Sequence, residues 1–241
     1  MRARLDLGAI DDALREVQAT WPRIDDELER LGIGRKDPFT TRLRGNMLSA
    51  YAYVDDLVAR KVEPFAGPAA AVEEPLLALN NLVHYGTDRA LWAEYASAIA
   101  ATAEMVNERA GPIAAWYRKH AAAGDHPYKL AAETFVAVLG QPQLFIEGNH
   151  RTGALIASWI NLAAGRAPFV LSAANALAFF APSEEIKRFA DRSTWRGRAR
   201  LPKYRKAFRR FWEQHVDRRY LLGTSDDRED DREDDAAGSG A

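Results

Sequence analysis

Apolar residues recur every three or four positions along most of this chain, and that spacing constrains the fold more than any other feature. Helices are predicted at 12–31, 48–62, 74–85, 91–110, 130–139, 152–164 and 203–216. Pro22 is a candidate break in the first helix, and Gly111-Pro112 is the expected end of the fourth. The alternating pattern of a β-strand is nearly absent, with 143–146 as one short extended candidate. We therefore expect an all-α helical bundle.

Composition excludes several classes of protein. The chain has 241 residues, of which 47% are apolar, so a sizeable core is available and a single folded domain is favoured. The absence of cysteine excludes a disulfide framework, a thiolate metal site and a cysteine nucleophile. Neither a signal peptide nor an apolar run of membrane-spanning length is found, so we expect a cytoplasmic protein with no membrane partner.

Charge is segregated along the chain, although the formal net charge is only -1. Residues 225–241 carry eight acidic residues and two arginines, a net charge of -6, and are predicted to be a disordered acidic tail. Residues 187–210 carry eleven basic residues against Asp191, a net charge of +10. The rest of the chain sums to -5, so a binding site there cannot depend on a broad positive field.

The basic segment 187–210 allows three interpretations. Basic residues interleaved with aromatic ones are typical of a nucleic-acid surface, which makes a nucleic acid a candidate partner. In the second interpretation Tyr204, Phe208, Phe211 and Trp212 pack on the body as one helical face, with the basic side chains in solvent. In the third, the acidic tail folds loosely over the segment, weakened by salt.

The segment Glu147-Gly-Asn-His-Arg151 carries the clearest chemical signal. A glycine-bearing loop that opens onto a helix start is suited to anions, because the first helical N–H groups are unpaired. Gly148 permits close approach of a ligand, Asn149 supplies an amide, and Arg151 offers a planar donor fork. Glu147 is a hard oxygen ligand of the kind Mg²⁺ prefers. The residues alone predict a phosphate cradle, although Gly-Asn is also common in turns.

This stretch resembles the core motif of the Fic/Fido family, His-x-Phe-x-(Asp/Glu)-Gly-Asn-Gly-Arg-x-x-Arg. Phe145, Glu147, Gly148, Asn149 and Arg151 match in register, and the similarity extends from His126-Pro127 to Gly165. The resemblance implies a Fido-like bundle with the motif loop between two central helices. It also implies Mg²⁺ and ATP or another nucleotide as cofactors, and transfer of AMP or phosphate to a hydroxyl of a protein target.

The departures from the motif affect both catalysis and nucleotide binding. The family's histidine, which accepts the proton of the attacking hydroxyl, is replaced by Gln143, and a carboxamide does not titrate near neutrality. The glycine before the arginine is His150, and the second arginine is Ala154. Gln143 and His150 are therefore the candidate catalytic positions. His150 is a substitute base, a donor to phosphate or a solvated loop residue.

Many members of the family carry an inhibitory helix whose glutamate pairs with the second arginine. Its comparable region here is 51–56, where Asp55 occupies the glutamate position. Because Ala154 replaces that arginine, we expect an ordinary amphipathic helix in which Asp55 has no partner.

Four segments are predicted: an N-terminal helical segment at 1–47, a Fic/Fido-like core at 48–186, a basic helical segment at 187–224 packed on the core, and the tail at 225–241.

The leading hypothesis is a protein that binds a nucleotide or phosphorylated small molecule through Gly148, Asn149, His150 and Arg151, with Glu147 as metal ligand. Such a protein would transfer AMP or phosphate by divergent chemistry. The alternatives are an inactive Fido pseudoenzyme with a binding or regulatory role, and a nucleic-acid-binding protein.

Overall fold

The computed structural model of the chain describes residues 3–34 and 36–223, and the fold of this part is all-helical. Its helices are α1 (Leu7–Arg30), α2 (Thr41–Ala59), α3 (Ala69–Tyr85), α4 (Arg89–Glu94), α5 (Ala96–Ala122), α6 (Pro127–Leu139), α7 (Asn149–Ala163), α8 (Ala176–Phe189) and α9 (Trp195–His215). A 3-10 turn follows at Arg218–Tyr220, and pairing outside helices is limited in the described part to three isolated bridges. The all-α prediction is confirmed.

The prolines do not act as the sequence indicated. Pro22 lies inside α1, and α5 runs through Gly111-Pro112 to Ala122, so the predicted helix end at that dipeptide is wrong. After the proline, α5 still buries Ile113, Ala114 and Tyr117. This burial outweighs the loss of one backbone hydrogen bond. The candidate extended piece at 143–146 contains no strand, and α8 was not predicted.

Helices α6 and α7 are the centre of the bundle. Helix α6 packs on α5, α7, α8 and α9, while α7 also packs on α2 and α3. Gly153 is needed for this arrangement, because a Cβ atom there would lie 3.1 Å from Phe135 and 3.3 Å from Leu139 of α6. The motif loop thus joins the two most buried helices, and its position is fixed from both ends.

The two ends of the described chain meet on α2. Leu5 pairs with Leu221 in an isolated bridge, and the Asp55 carboxylate accepts hydrogen bonds from the Leu5 amide at 2.9 Å and from the Arg4 guanidinium. The expectation that Asp55 has no partner is therefore wrong. The partners of Asp55 are Arg4 and Leu5 near the N-terminus, and not residue 154, where the family motif has its second arginine. The predicted boundaries after residues 47 and 186 fall inside α2 and α8.

Helix α9 contains most of the basic segment 187–210, and its aromatic side chains face the core. Tyr204, Phe208, Phe211 and Trp212 are buried against α6 and α8, which confirms the packing part of the second interpretation. Arg192 and Arg205 are partly buried, so not all basic side chains of the segment lie in solvent. The acidic tail and its predicted disorder lie outside the described residues. Within the described ranges, no helix combines the length and the apolar character needed to cross a membrane.

Candidate functional site

The loop between α6 and α7 is closed by the side chain of Asn149. Its Nδ2 atom donates to the Phe145 carbonyl at 2.8 Å, and its Oδ1 atom accepts from the Phe145 amide at 3.0 Å. Phe145 and Leu144 are fully buried, whereas Ile146 and Glu147 are exposed. Asn149 was predicted to bind a ligand, but its amide is bonded within the protein. Its contribution is to fix the shape of the loop.

Gly148 turns the loop into α7 with a left-handed backbone, at φ 75°. A Cβ atom there would lie 2.5 Å from His84 Nε2 and 3.2 Å from Asn80 Nδ2. Asn80 in turn donates to the Glu147 carbonyl and to Thr152 Oγ1, each at 3.0 Å. Both the conformation and the close approach of α3 therefore require glycine at this position.

The first turn of α7 offers backbone donors to a ligand. Among the described residues no side chain caps this helix, and its hydrogen bonding begins with the Thr152 amide donating to the Gly148 carbonyl at 2.9 Å. The amides ahead of Thr152 carry the partial positive charge of a helix start. The sequence prediction of an anion-binding loop at a helix start thus has the required backbone geometry.

A cleft of about 190 Å³ brings the predicted site residues together. Its lining includes all six of them: Gln143, Glu147, Gly148, Asn149, His150 and Arg151. A second cavity of about 370 Å³ shares Asp37, Leu43 and Arg151 with the first. The two cavities therefore adjoin each other at Arg151.

Arg151 has no hydrogen-bond or ion-pair partner in the part of the chain that the structure describes. Burial lowers the pKa of Arg151, while the negative charges of Asp37 and Glu147 act in the opposite direction. The guanidinium is nevertheless charged at any physiological pH. It is a half-buried cation whose donors are available in the cleft, which is the arrangement expected of an anion receptor.

His150 is a neutral imidazole at the wall of the same cleft. Burial lowers its pKa to about 4, with Glu184 opposing the shift and Lys36, Lys187 and Arg151 reinforcing it. Its Nε2 atom is buried, has no hydrogen-bond partner among the residues that the structure describes, and lies 3.9 Å from Glu184 Oε2. Glu184 is instead bonded to Lys36 Nζ at 2.9 Å. A buried polar atom without a partner costs free energy, which a ligand atom in the cleft would recover.

Gln143 is anchored away from any proton-transfer role. Its side-chain Nε2 atom donates to the Leu139 carbonyl at 3.3 Å, and its backbone carbonyl accepts from Arg109 Nη1 at 2.7 Å. Both interactions hold the chain between α6 and the motif loop. No titrating group replaces the family's base at this position.

The residues present fit a magnesium ion that arrives with phosphates. Glu147 lines the cleft beside Asp37, so two carboxylates are near Arg151. In the described ranges, no group of three metal-ligating side chains is found. Mg²⁺ commonly uses one or two carboxylates and completes its shell with phosphate oxygens and water. Glu147, with Asp37, would hold the ion, which would neutralise phosphate charge there.

Several residues of the cleft were missed by the sequence analysis. Lys36 and Asp37 precede α2, whereas Glu184 and Lys187 lie on α8, a helix that was not predicted. Asn80 and His84 carried a usable signal, since they are polar residues one helical turn apart in the mostly apolar second half of α3. Burial lowers the pKa of His84, the Arg151 charge lowers it further, and the Glu147 backbone acts in the opposite direction. Among the described residues, His84 Nε2 has no hydrogen-bond partner.

Comparison of the chain with protein-family models, with curated proteins and with solved structures gives no match.

Proposed function

We propose that this protein binds the phosphate group of a nucleotide or another phosphorylated small molecule at Arg151 and the start of α7. The observation that carries the proposal is the unpaired guanidinium of Arg151 in a cleft. An unpaired, half-buried charge is costly to maintain in a fold that has no use for it. The resemblance of residues 143–154 to the Fic/Fido motif agrees with this chemistry, and membership of that family is part of the proposal.

Each residue of the cleft has a separate task in this proposal. The Arg151 fork donates to phosphate oxygens, and the free amides of the first turn of α7 donate to the same group. His150 Nε2, which lacks a partner, makes a hydrogen bond to the ligand. Glu147 holds Mg²⁺ on the phosphate. The cleft of about 190 Å³ suits the phosphate end, and the adjoining cavity of about 370 Å³ receives the rest of the ligand.

The geometry favours the binding or regulatory role over group transfer. Transfer of AMP or phosphate to a protein hydroxyl benefits from a base that accepts the hydroxyl proton, which typically contributes about a hundred- to ten-thousand-fold in rate. Gln143 supplies none. A pKa of about 4 makes His150 a weak proton acceptor at neutral pH, although it is unprotonated there. We therefore propose a phosphate-binding module that has retained the cradle of the family and not its base.

Calorimetry with ATP and Mg²⁺, alongside other phosphorylated compounds, tests the binding proposal. Arg151→Ala removes the receptor without breaking any hydrogen bond inside the described protein, so it is expected to fold. Loss of a charged hydrogen bond corresponds to about a tenfold to hundredfold weaker Kd. Arg60→Ala is the matched control, since Arg60 pairs on the surface with Asp56. No binding by the unaltered protein, or equal binding by both variants, contradicts the proposal.

A transfer assay with labelled nucleotide distinguishes the binding module from a transferase. We expect no transfer to protein from the unaltered chain and measurable transfer from Gln143→His, because this change restores a titrating group beside the retained cradle. Turnover by the unaltered chain that disappears in Glu147→Ala would instead identify an active enzyme. Gln143→Asn is the control, since this carboxamide does not titrate either.

Single-stranded nucleic acid is the second candidate ligand, at a separate surface where α8 meets α9. Trp195 is 69% exposed and Phe189 is 46% exposed, with the guanidinium of Arg196 over the Trp195 ring and that of Arg200 over Phe189. Exposed rings beside arginines suit base stacking. Binding should weaken steeply with added salt and fall in Trp195→Ala, whereas Leu31→Ala, at another exposed apolar residue, should not alter it. Salt-independent binding, or equal affinity in both variants, removes this candidate.

A further inference from the structure

A separate cavity of about 180 Å³ lies between α5, α6 and α9. It shares no lining residue with the two cavities that meet at Arg151. Ile113, Trp116 and Leu201 form apolar walls, and three charged side chains reach it: Glu133, Arg192 and Arg205. The function proposed above makes no use of this cavity.

The charges around this cavity do not balance. Arg205 Nε lies 3.3 Å from Glu133 Oε2, so Glu133 compensates one arginine. Arg192 has no carboxylate at ion-pair distance within the described ranges. Burial lowers the pKa of Arg192, and the positive charges of Arg109 and Arg205 lower it further. The cavity thus has one positive charge more than its own acidic residue can neutralise.

Two buried donors in the same place also lack acceptors. The Nε atoms of Arg192 and Arg205 are buried, and neither makes a hydrogen bond to any residue that the structure describes. The contact of Arg205 with Glu133 has ion-pair distance but not hydrogen-bond geometry. Buried donors of this kind are uncommon in folded proteins and point to a missing partner. One acceptor group with several oxygens would satisfy both and would neutralise the excess charge.

We propose that this cavity binds a small oxyanion, a phosphate or a carboxylate group, between Arg192 and Arg205. In either group, two oxygen atoms can accept hydrogen bonds together from the planar guanidinium of an arginine. The apolar side chains beside the two arginines lower the local polarity, which strengthens the contact. Three sources of such a group are free phosphate, a small carboxylic acid and the carboxylates of residues 226–235.

Occupancy of this site bears on the motif loop. Arg192 Nη2 donates to the Pro142 carbonyl at 2.6 Å, and Arg109 Nη1 donates to the Gln143 carbonyl at 2.7 Å. Arg192 therefore joins the cavity to the chain that leads from α6 into the loop. An anion that fixes the position of Arg192 also fixes the Pro142 carbonyl to which Arg192 donates. Binding in this cavity therefore stabilises the motif loop.

The test is made in the full chain carrying Arg151→Ala, so that failure of the first site does not decide the outcome for the second. Inorganic phosphate and acetate are titrated separately by calorimetry and by the midpoint of thermal unfolding. We expect at least one of them to bind and to raise the midpoint. Adding Arg192→Gln should weaken that binding by about tenfold or more. Arg210→Gln, at an exposed arginine on α9, should leave it unchanged.

A second variant covers the case in which Arg192→Gln does not fold. Ala137→Leu narrows the cavity while both arginines and the bond to Pro142 remain, and it should also weaken binding. Absence of binding by both anions, or binding unaltered by Ala137→Leu and by a folded Arg192→Gln, overturns the proposal. Replacing the eight acidic residues of 226–235 by their amides identifies the source: tighter binding means that these carboxylates compete for the site, and equal binding means a free anion.

Discussion

Asn149 holds Phe145 by both of its backbone groups, with Nδ2 donating to the carbonyl at 2.8 Å and Oδ1 accepting from the amide at 3.0 Å. This pair determines the path of the motif loop between two buried helices. It also explains why an asparagine is needed at a position where the sequence indicated a ligand contact. The buried backbone of Phe145 has no other hydrogen-bond partner for these two groups in the described residues.

Asn149→Leu should therefore destabilise the protein, by about 2–4 kcal/mol, because it leaves two buried backbone groups without partners. Asn161→Leu is the matched comparison on the same helix. Both polar atoms of the Asn161 side chain are buried without a partner, so this change should be neutral or stabilising by about 1 kcal/mol. Urea unfolding measures both. A larger loss for Asn161→Leu than for Asn149→Leu would contradict the assignment of these two amides.

Gly148→Ala should cost more than Gly165→Ala, although both glycines have left-handed backbones. At Gly165, with φ 72°, a Cβ atom would meet nothing within 4 Å, so alanine costs only the conformational penalty of about 1–2 kcal/mol. At Gly148 the same penalty is joined by a clash with His84 Nε2 at 2.5 Å. The difference in unfolding free energy between the two variants therefore measures the cost of placing a methyl group against His84 of α3.

His84→Ala should reduce the cost of Gly148→Ala by removing the atom that the new methyl group meets. The cycle formed by the two single variants and the double variant gives this coupling directly. Additive effects would show that the loop moves away from α3 without a penalty.

His150 should make the protein less stable as the pH falls from about 6.5 to about 4. Its folded pKa is about 4, below the ordinary value of 6.5, because burial disfavours the charged form. In this window the unfolded chain binds a proton that the folded protein does not. The contribution of neutral His150 to stability is therefore fully present above pH 6.5 and is lost as the pH falls to about 4. The loss reaches up to about 3 kcal/mol.

His150→Gln isolates this effect, since glutamine does not titrate. We expect the variant to keep its stability relative to wild type better at pH 4.5 than at pH 7, measured by urea unfolding. Contributions from the other histidines cancel in the difference. A parallel pH profile for the two proteins would contradict a buried neutral His150.

Asp55→Ala should destabilise the protein by about 2 kcal/mol, whereas Asp56→Ala should change stability by less than about 0.5 kcal/mol. Asp55 accepts from the buried amide of Leu5, while Asp56 pairs with Arg60 on the surface. Asp55→Asn retains an acceptor for Leu5 and loses the charge next to Arg4, so its effect should be intermediate. Thermal unfolding of the three variants tests this order, and an equal effect of Asp55→Ala and Asp56→Ala would contradict it.

The sequence determined the helical class and most helix positions, because apolar spacing reports directly which face of a helix is buried. It also predicted the loop 147–151 as a candidate anion site, since glycine, arginine and a helix start are local properties. The aromatic face of α9 was foreseeable for the same reason: Tyr204, Phe208 and Trp212 recur at four-residue steps.

Tertiary structure decided what the local pattern cannot contain. Whether Pro112 ends a helix depends on what its neighbours bury, and α5 continues because Ile113 and Tyr117 have partners in the core. The partners of Asp55 and Lys36 come from residues that are distant in the chain, Leu5 and Glu184. Charge compensation is a property of three-dimensional neighbours, so only the fold distinguishes the paired Asp55 from the unpaired Arg151.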